Sequence, residues 1–330
     1  MKKILSLITV ILVTAGALIY ALRDVSFSEL ASLMSAGHYW VLVPTLVLLF
    51  LFYWIKAMRW ALILKPVGHF TSSDVAPAMV IGFAGNNLLP AHLGELVRIV
   101  IFSRQFSKPV SSIATTLLVE RVFDLAAILF LYAVGMATIG TPPESLEVGA
   151  WLITVMMIGF FVTISIILYR PGLVLGLGEW AGKLLPEKLA KRLRDMLVNI
   201  ITAFSSLRSP RLVFAMLSLS ILKWSFMAVM ITLSLVAYET QVSIGIILVL
   251  MAVMSLAAAV PNAPGYVGAM QAAYVFALRP FGISEEVAIA ASVLFLACQW
   301  LPVTLAGMLY FIRGGFHVAE VRREVAEAEE

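Results

Sequence analysis

The chain has 330 residues, 62% of them hydrophobic and only 13% charged, with a mean hydropathy of +1.00. Soluble domains carry roughly 45–50% apolar and about 25% charged residues, so a water-soluble globule, a disordered chain, a collagen, a coiled coil and a disulfide-stapled secreted scaffold are excluded. The formal net charge of +4 is too small to point to nucleic acid, and the single cysteine, Cys298, forms no internal disulfide.

A spanning helix needs about 20 mostly apolar residues to cross roughly 30 Å of hydrocarbon. In chain order, residues 4–22, 39–64, 113–139, 148–169, 212–238 and 287–312 meet that test. The expectation is an all-α integral membrane protein with about six transmembrane helices. Lys2 and Lys3 precede the first run, but no small-residue cleavage site closes it, so it reads as an uncleaved helix.

Two further apolar stretches are broken. The first, within 75–106, is interrupted at Gly85-Asn86-Asn87-Leu88-Leu89-Pro90 and resumes with Glu95, Arg98 and Arg104 aboard. The second, within 244–280, is interrupted at Pro261-Asn262-Ala263-Pro264-Gly265. Broken backbone at membrane depth survives only where protein or a watery cavity satisfies its polar groups. Both stretches therefore read as re-entrant hairpins, the alternative being that each half is a tilted full crossing.

Lys and Arg set the orientation. With the N-terminus in the cytoplasm, Lys2, Lys3, Lys65, Lys108, Arg170 and Arg313 fall inside, while Asp24, Glu29, Glu144, Glu147, Glu239, Glu285 and Glu286 fall outside. Both termini are then cytoplasmic. The basic stretch 171–210 separates a first half, 1–170, from a second, 211–330. Within it Leu185, Leu189, Leu193, Leu197, Ile200 and Phe204 recur at helical spacing, which predicts an amphipathic helix lying on anionic headgroups.

The two breaks repeat each other. Pro90 and Gly94 are matched by Pro264 and Gly268, each 174 residues further on. Three spans lie between them, an odd number, so the hairpins open from opposite faces. Inverted repeats of this kind place a substrate site where broken helices meet near the midplane.

Ionisable groups in hydrocarbon cost at least about 2.5–3.5 kcal/mol each and call for a function. Glu95 and Arg98 stand one helical turn apart on one face, where they can pair. Glu120, Arg121 and Asp124 load the third span and are expected to turn inward. Lys223 lies deep in the fifth. Lys56 and Arg59, nearer a helix end, read as snorkelling to the interface. Arg98 and Arg121 suit a phosphate-bearing headgroup, because guanidinium offers a bidentate fork. Asn86, Asn87, His92, Asn262, Tyr266 and Gln271 are candidates for neutral hydrogen bonds, and Pro90, Gly94, Pro264, Gly265 and Gly268 are the candidate hinges.

The sequence carries no phosphate-binding loop, no nucleophilic triad order, no His-Glu-x-x-His and no Cys-x-x-Cys, and its four histidines show no metal-ligand spacing. No cofactor or metal is therefore expected. Acid–base chemistry by Glu95, Glu120 or Asp124 stays open, with transport favoured over catalysis.

The run Asn87-Leu88-Leu89-Pro90-Ala91-His92-Leu93-Gly94-Glu95-Leu96-Val97-Arg98 is followed by Leu118-Val119-Glu120-Arg121-Val122-Phe123-Asp124 and then by Pro261-Asn262-Ala263-Pro264-Gly265-Tyr266-Val267-Gly268. Together they resemble the lysylphosphatidylglycerol synthase transmembrane-region family, also called flippase-like domain proteins. The resemblance implies a prokaryotic inner-membrane protein of helices and re-entrant segments associated with lipid translocation. Full-length synthases add a soluble aminoacyl-transfer domain; this chain stops at Glu330, so that activity is not carried over. The family pattern has an acidic residue after the second glycine, where this chain has Ala269, with Gln271 close by.

The resulting expectation is a lipid flippase or transporter for an anionic or phosphate-bearing lipid, with membrane lipids as partners and no nucleic acid. The alternative is a membrane partner of a lipid-linked glycosyl- or aminoacyl-transferase. The oligomeric state, including a homo-oligomer, is left open.

Overall fold

The computed structural model describes residues 2–89, 93–139, 169–205, 210–260 and 263–317, scattered positions between 151 and 167, and Glu320. Twelve α-helices and no strand occur among the described residues. They are α1 (Lys2–Leu22), α2 (Phe27–Ala36), α3 (Leu42–Ile63), α4 (Ser72–Leu88), α5 (Leu93–Phe106), α6 (Val110–Ile139), α7 (Pro171–Gly182), α8 (Glu187–Ser205), α9 (Pro210–Val236), α10 (Ile244–Ala259), α11 (Ala269–Leu278) and α12 (Glu285–Arg313).

Four of the expected spans are long apolar helices: Tyr39–Ile63, which is α3 with the 3₁₀ turn before it, Val110–Ile139, Pro210–Val236 and Glu285–Arg313. The first expected span lies in α1, whose described apolar part runs Leu12–Leu22. The fourth, 148–169, falls largely outside the described residues. The protein is a multi-pass, all-α membrane protein. Its surface is correspondingly oily, with Val43, Phe50, Phe214, Leu301 and Ile312 all exposed.

The helix ends follow ordinary capping chemistry. Thr71 and Asp74 form a reciprocal box at the start of α4: the Thr71 N–H donates to Asp74 Oδ2 at 2.7 Å, and the Asp74 N–H donates to Thr71 Oγ1 at 3.3 Å. Ser284 caps α12, with Glu285 and Glu286 in its first turn and Arg313 in its last, as the helix dipole favours. In the expected amphipathic stretch, α8 is joined by a second helix that the periodicity did not announce, α7, which packs against it.

Helix pairings correspond between the two halves. The last long helix of the second half, α12, packs on α4, and its counterpart α6 packs on α10; the two leading helices, α3 and α9, pack on each other. These pairings exchange when α3, α4, α5 and α6 are swapped for α9, α10, α11 and α12. Each broken pair also packs internally, α4 on α5 and α10 on α11. The halves meet where the breaks lie, since α4 touches the 3₁₀ turn Pro264–Tyr266.

Glycine permits the closest of these crossings. A methyl at Gly94 would run into the Gly82 carbonyl and the Asn86 amide, and one at Gly85 would lie 2.9 Å from the Gly94 Cα. The backbones of α4 and α5 therefore touch directly, holding the hairpin shut. Overpacking of this kind typically costs 1–3 kcal/mol. Gly94→Ala should accordingly lower the midpoint of thermal unfolding in detergent by at least about 3 °C. Gly176→Ala, where a methyl meets open space, should leave it unchanged or raise it.

Candidate functional site

The site begins with the face of α3 on which Lys56, Arg59 and Trp60 fall one turn apart or adjacent. That face meets the stripe Thr116, Glu120, Asp124 of α6, with Arg98 of α5 and Lys223 of α9 closing it. All six charged side chains are buried, Arg59 completely and Lys223 to 1% exposure. Glu120 and Asp124 sit near the middle of α6 and Lys223 near the middle of α9, both helices long and apolar enough to span a membrane.

Every carboxylate oxygen in this cluster is engaged. Glu120 Oε1 lies 2.7 Å from Lys56 Nζ, and Glu120 Oε2 accepts from Arg98 Nη2 at 2.9 Å. Asp124 Oδ1 accepts from Lys223 Nζ at 2.6 Å, from Trp224 Nε1 at 3.3 Å and from Arg59 Nη1; Asp124 Oδ2 lies 3.7 Å from Lys56 Nζ. Arg59 Nη2 also donates to the Glu120 carbonyl at 3.2 Å.

Aromatic faces shield the cations. The Arg98 guanidinium lies 3.6 Å from the centre of the Trp60 ring, Lys56 Nζ 4.8 Å from that of Phe83, and Lys223 Nζ 4.6 Å from that of Trp224. Trp60 is itself fixed by a hydrogen bond from Nε1 to Thr116 Oγ1 at 3.0 Å.

The arithmetic of charge is the main feature. Four cations, Lys56, Arg59, Arg98 and Lys223, face two carboxylates, so the buried cluster carries a formal surplus of two positive charges. Ion pairing that served only to join helices would be expected to close at neutrality, because each uncompensated buried ion costs several kcal/mol. Beside the cluster is a crevice lined by Lys56, Asn86, Arg98, Glu120 and, at its outer end, Glu95 and Arg121, with room for about one water. Glu95 and Arg121 pair with each other; the Arg121 side chain is 59% exposed and that of Glu95 31%.

The structure thus redistributes the expected contacts. Glu95 and Arg98 do not pair: the first takes Arg121 and the second Glu120. Arg121, expected to turn inward with Glu120 and Asp124, is instead exposed and pairs with Glu95. Lys56 and Arg59 do not snorkel but are core members of the cluster. Helix arithmetic holds the signal for this correction: Lys56 lies eight residues before the end of the expected span, about 12 Å along the axis, farther than its side chain reaches.

Among the remaining candidates, Asn87 binds α12. Its Nδ2 donates to Thr304 Oγ1 at 2.9 Å and to the Trp300 carbonyl at 3.3 Å, while Trp300 Nε1 donates to the Asn87 carbonyl at 3.2 Å. The Trp300 indole packs against Gly265, where a methyl would lie 2.8 Å from the ring. Trp300, which sequence reasoning did not single out, therefore clasps the two breaks together.

Gly265, Tyr266 and Gly268 all have positive φ, the tyrosine at a steric cost that a non-glycine residue seldom bears. Pro264 opens this turn, and the Ala263 N–H is held by Thr14 Oγ1 of α1 at 3.0 Å. Tyr266 lies within electrostatic range of Arg121 and Tyr53. Gln271 is occupied as a cap, accepting from the Gly268 N–H at 2.7 Å. Pro90, His92 and Asn262 lie outside the described residues.

Asp124 is the ligand that Arg59, Lys223 and Lys56 share, so Asp124→Asn should destabilise the fold by about 3–5 kcal/mol. Asp124→Asn combined with Lys223→Met should recover part of that loss. Thermal unfolding of the purified variants in detergent reads both.

Two comparisons bear on this architecture. The family model described as the lysylphosphatidylglycerol synthase TM region matches residues 6–307. The chain is also 22% identical, over 88% of its own length and 89% of the relative's, to a UPF0104 membrane protein of Methanothermobacter thermautotrophicus.

Proposed function

The chain belongs to the lysylphosphatidylglycerol synthase transmembrane-region family, and from that premise we propose that it is a flippase for an anionic or phosphate-bearing lipid of a prokaryotic cytoplasmic membrane. The observation that carries the reading is the formal surplus of two buried positive charges beside a crevice whose mouth is an exposed ion pair. A headgroup phosphate is the complementary charge. It would enter at Arg121, displacing Glu95 and taking the guanidinium fork, while the acyl or prenyl chains stay in lipid.

In this reading α4–α5 and α10–α11 are re-entrant hairpins of opposite sense, and both termini are cytoplasmic. The exchange of helix pairings between the halves supports the repeat, and the segregation of Lys and Arg supports the orientation. The crevice has room for about one water, so a headgroup enters only when α5 and α6 part. The Glu95–Arg121 pair is the contact that must break first, and with its Arg121 member exposed to solvent it is worth little to stability.

The test is reconstitution into liposomes containing fluorescent phosphatidylglycerol or a fluorescent polyprenyl phosphate, with translocation read by quenching of the outer leaflet. The protein should accelerate translocation of at least one of these lipids over empty liposomes. Arg121→Ala should reduce that rate at least about tenfold, a loss of about 1.4 kcal/mol in headgroup binding. Its exposed side chain leaves the unfolding midpoint within about 1 °C of the parent. A protein that moves neither lipid, or an Arg121→Ala variant that moves them as fast as the parent, refutes the proposal.

A further inference from the structure

We infer that the crevice between α4, α5 and α6 is a binding site for one small monovalent anion of halide size, held between Arg98, Asn86 and Lys56. Three observations lead there, and none depends on lipid transport.

First, the cluster behind the crevice keeps its formal surplus of two positive charges when the mouth is included. Adding Arg121 and Glu95 adds one charge of each sign. Surplus charge at this depth draws an anion out of water, because the field it meets is little screened by solvent.

Second, polar atoms are left over where an anion would sit. Among the described residues Arg98 Nε and Asn86 Oδ1 have no hydrogen-bond partner, although Arg98 is 4% exposed and Asn86 7%. Both residues line the crevice. The Arg98 fork spends Nη2 on Glu120 and leaves Nε unspent. Rotated by half a turn, the Asn86 amide presents its NH₂ in place of its oxygen, so the residue can serve as a second donor. A buried guanidinium N–H without an acceptor costs more than an ordinary lost hydrogen bond.

Third, the size selects the ion. The crevice takes about one water-sized sphere, and the backbones of Gly82 and Gly94 close it on one side. Chloride is larger than a water, so it seats with a small outward shift of the exposed Arg121 side chain at the mouth. As a single atom it needs less room than any oxyanion and asks for donors without directional preference. Sulfate and inorganic phosphate, each with four oxygens around a central atom, exceed the space.

Equilibrium dialysis of the purified protein against ³⁶Cl⁻, in detergent and without added lipid, tests this directly. The expected result is one chloride per chain, displaced by bromide but not by gluconate. Thermal unfolding at constant ionic strength should rise by about 5 °C when chloride replaces gluconate. Asn86→Asp places a fixed negative charge in the crevice. It should abolish ³⁶Cl⁻ binding and make the unfolding midpoint independent of chloride. Arg98→Lys, which keeps the charge but removes Nε, should weaken chloride at least about tenfold.

No saturable ³⁶Cl⁻ binding, equal binding by the parent and Asn86→Asp, or displacement by equimolar sulfate would each overturn the assignment. These readouts use no lipid. Failure here therefore leaves the transport reading standing, and failure of transport leaves the anion site standing.

Discussion

Two carboxylates one turn apart on α6 hold four cations drawn from α3, α5 and α9. In hydrocarbon there is no water to offer these cations an alternative, so the pairs fix the rotation of four helices about their axes at once. Apolar packing could not do so alone. Leu and Ile on a lipid-facing helix lose little by turning, because lipid tails are as apolar as the neighbouring helix. Glu120 and Asp124 therefore set the register that the cores around Trp60 and Phe123 then fill.

The same constraint explains why the first broken pair is built from glycine and the clasp on α12 from an indole. Arg98 reaches Glu120 only if α5 lies close against α4, and Gly82, Gly85 and Gly94 remove the side chains that would hold those helices apart. Drawn in this way, α4 presents Asn87 to Trp300, which also covers Gly265 of the second break. The electrostatic cluster and the junction between the halves are thus joined through one short helix, α4. Movement of α4 disturbs both.

Much of this was legible in the sequence. Hydropathy gave four of the long spans to within a few residues, because a spanning helix is a matter of length and composition. The breaks were legible because Pro and Gly punctuate the chain, and Arg98, Glu120, Asp124 and Lys223 because charge amid leucine is conspicuous. Partner choice was not. Helical spacing says that Glu95 and Arg98 share a face; it does not say that Glu120 arrives from another helix with a better approach. Lys56 and Arg59 were mistaken for interfacial residues because nearness to a helix end was not weighed against side-chain reach. Lys56 lies too deep to snorkel, whereas for Arg59 only the packed neighbours reveal the burial. Trp300 carried no signal, since one Trp among several in an apolar run is ordinary and its role depends on an Asn87 carbonyl 213 residues away.

The two halves share a pattern of helix pairing but not a chemistry. From Ile244 to Leu278 the second broken pair contains no Lys, Arg, Asp or Glu at all, and its amide Gln271 is spent on a cap. An anion crossing between the halves would find its well on the first side only, at Arg98 and Arg121. Two charged hairpins could pass a headgroup from cation to cation; a single one cannot. Release in the transport reading then has to come from within the same side. Glu95, with Arg121 already as its partner, is placed to reclaim that guanidinium and so loosen the cargo. The exposed pair at the mouth, weak as a contribution to stability, is in this respect the part of the site with the most to do.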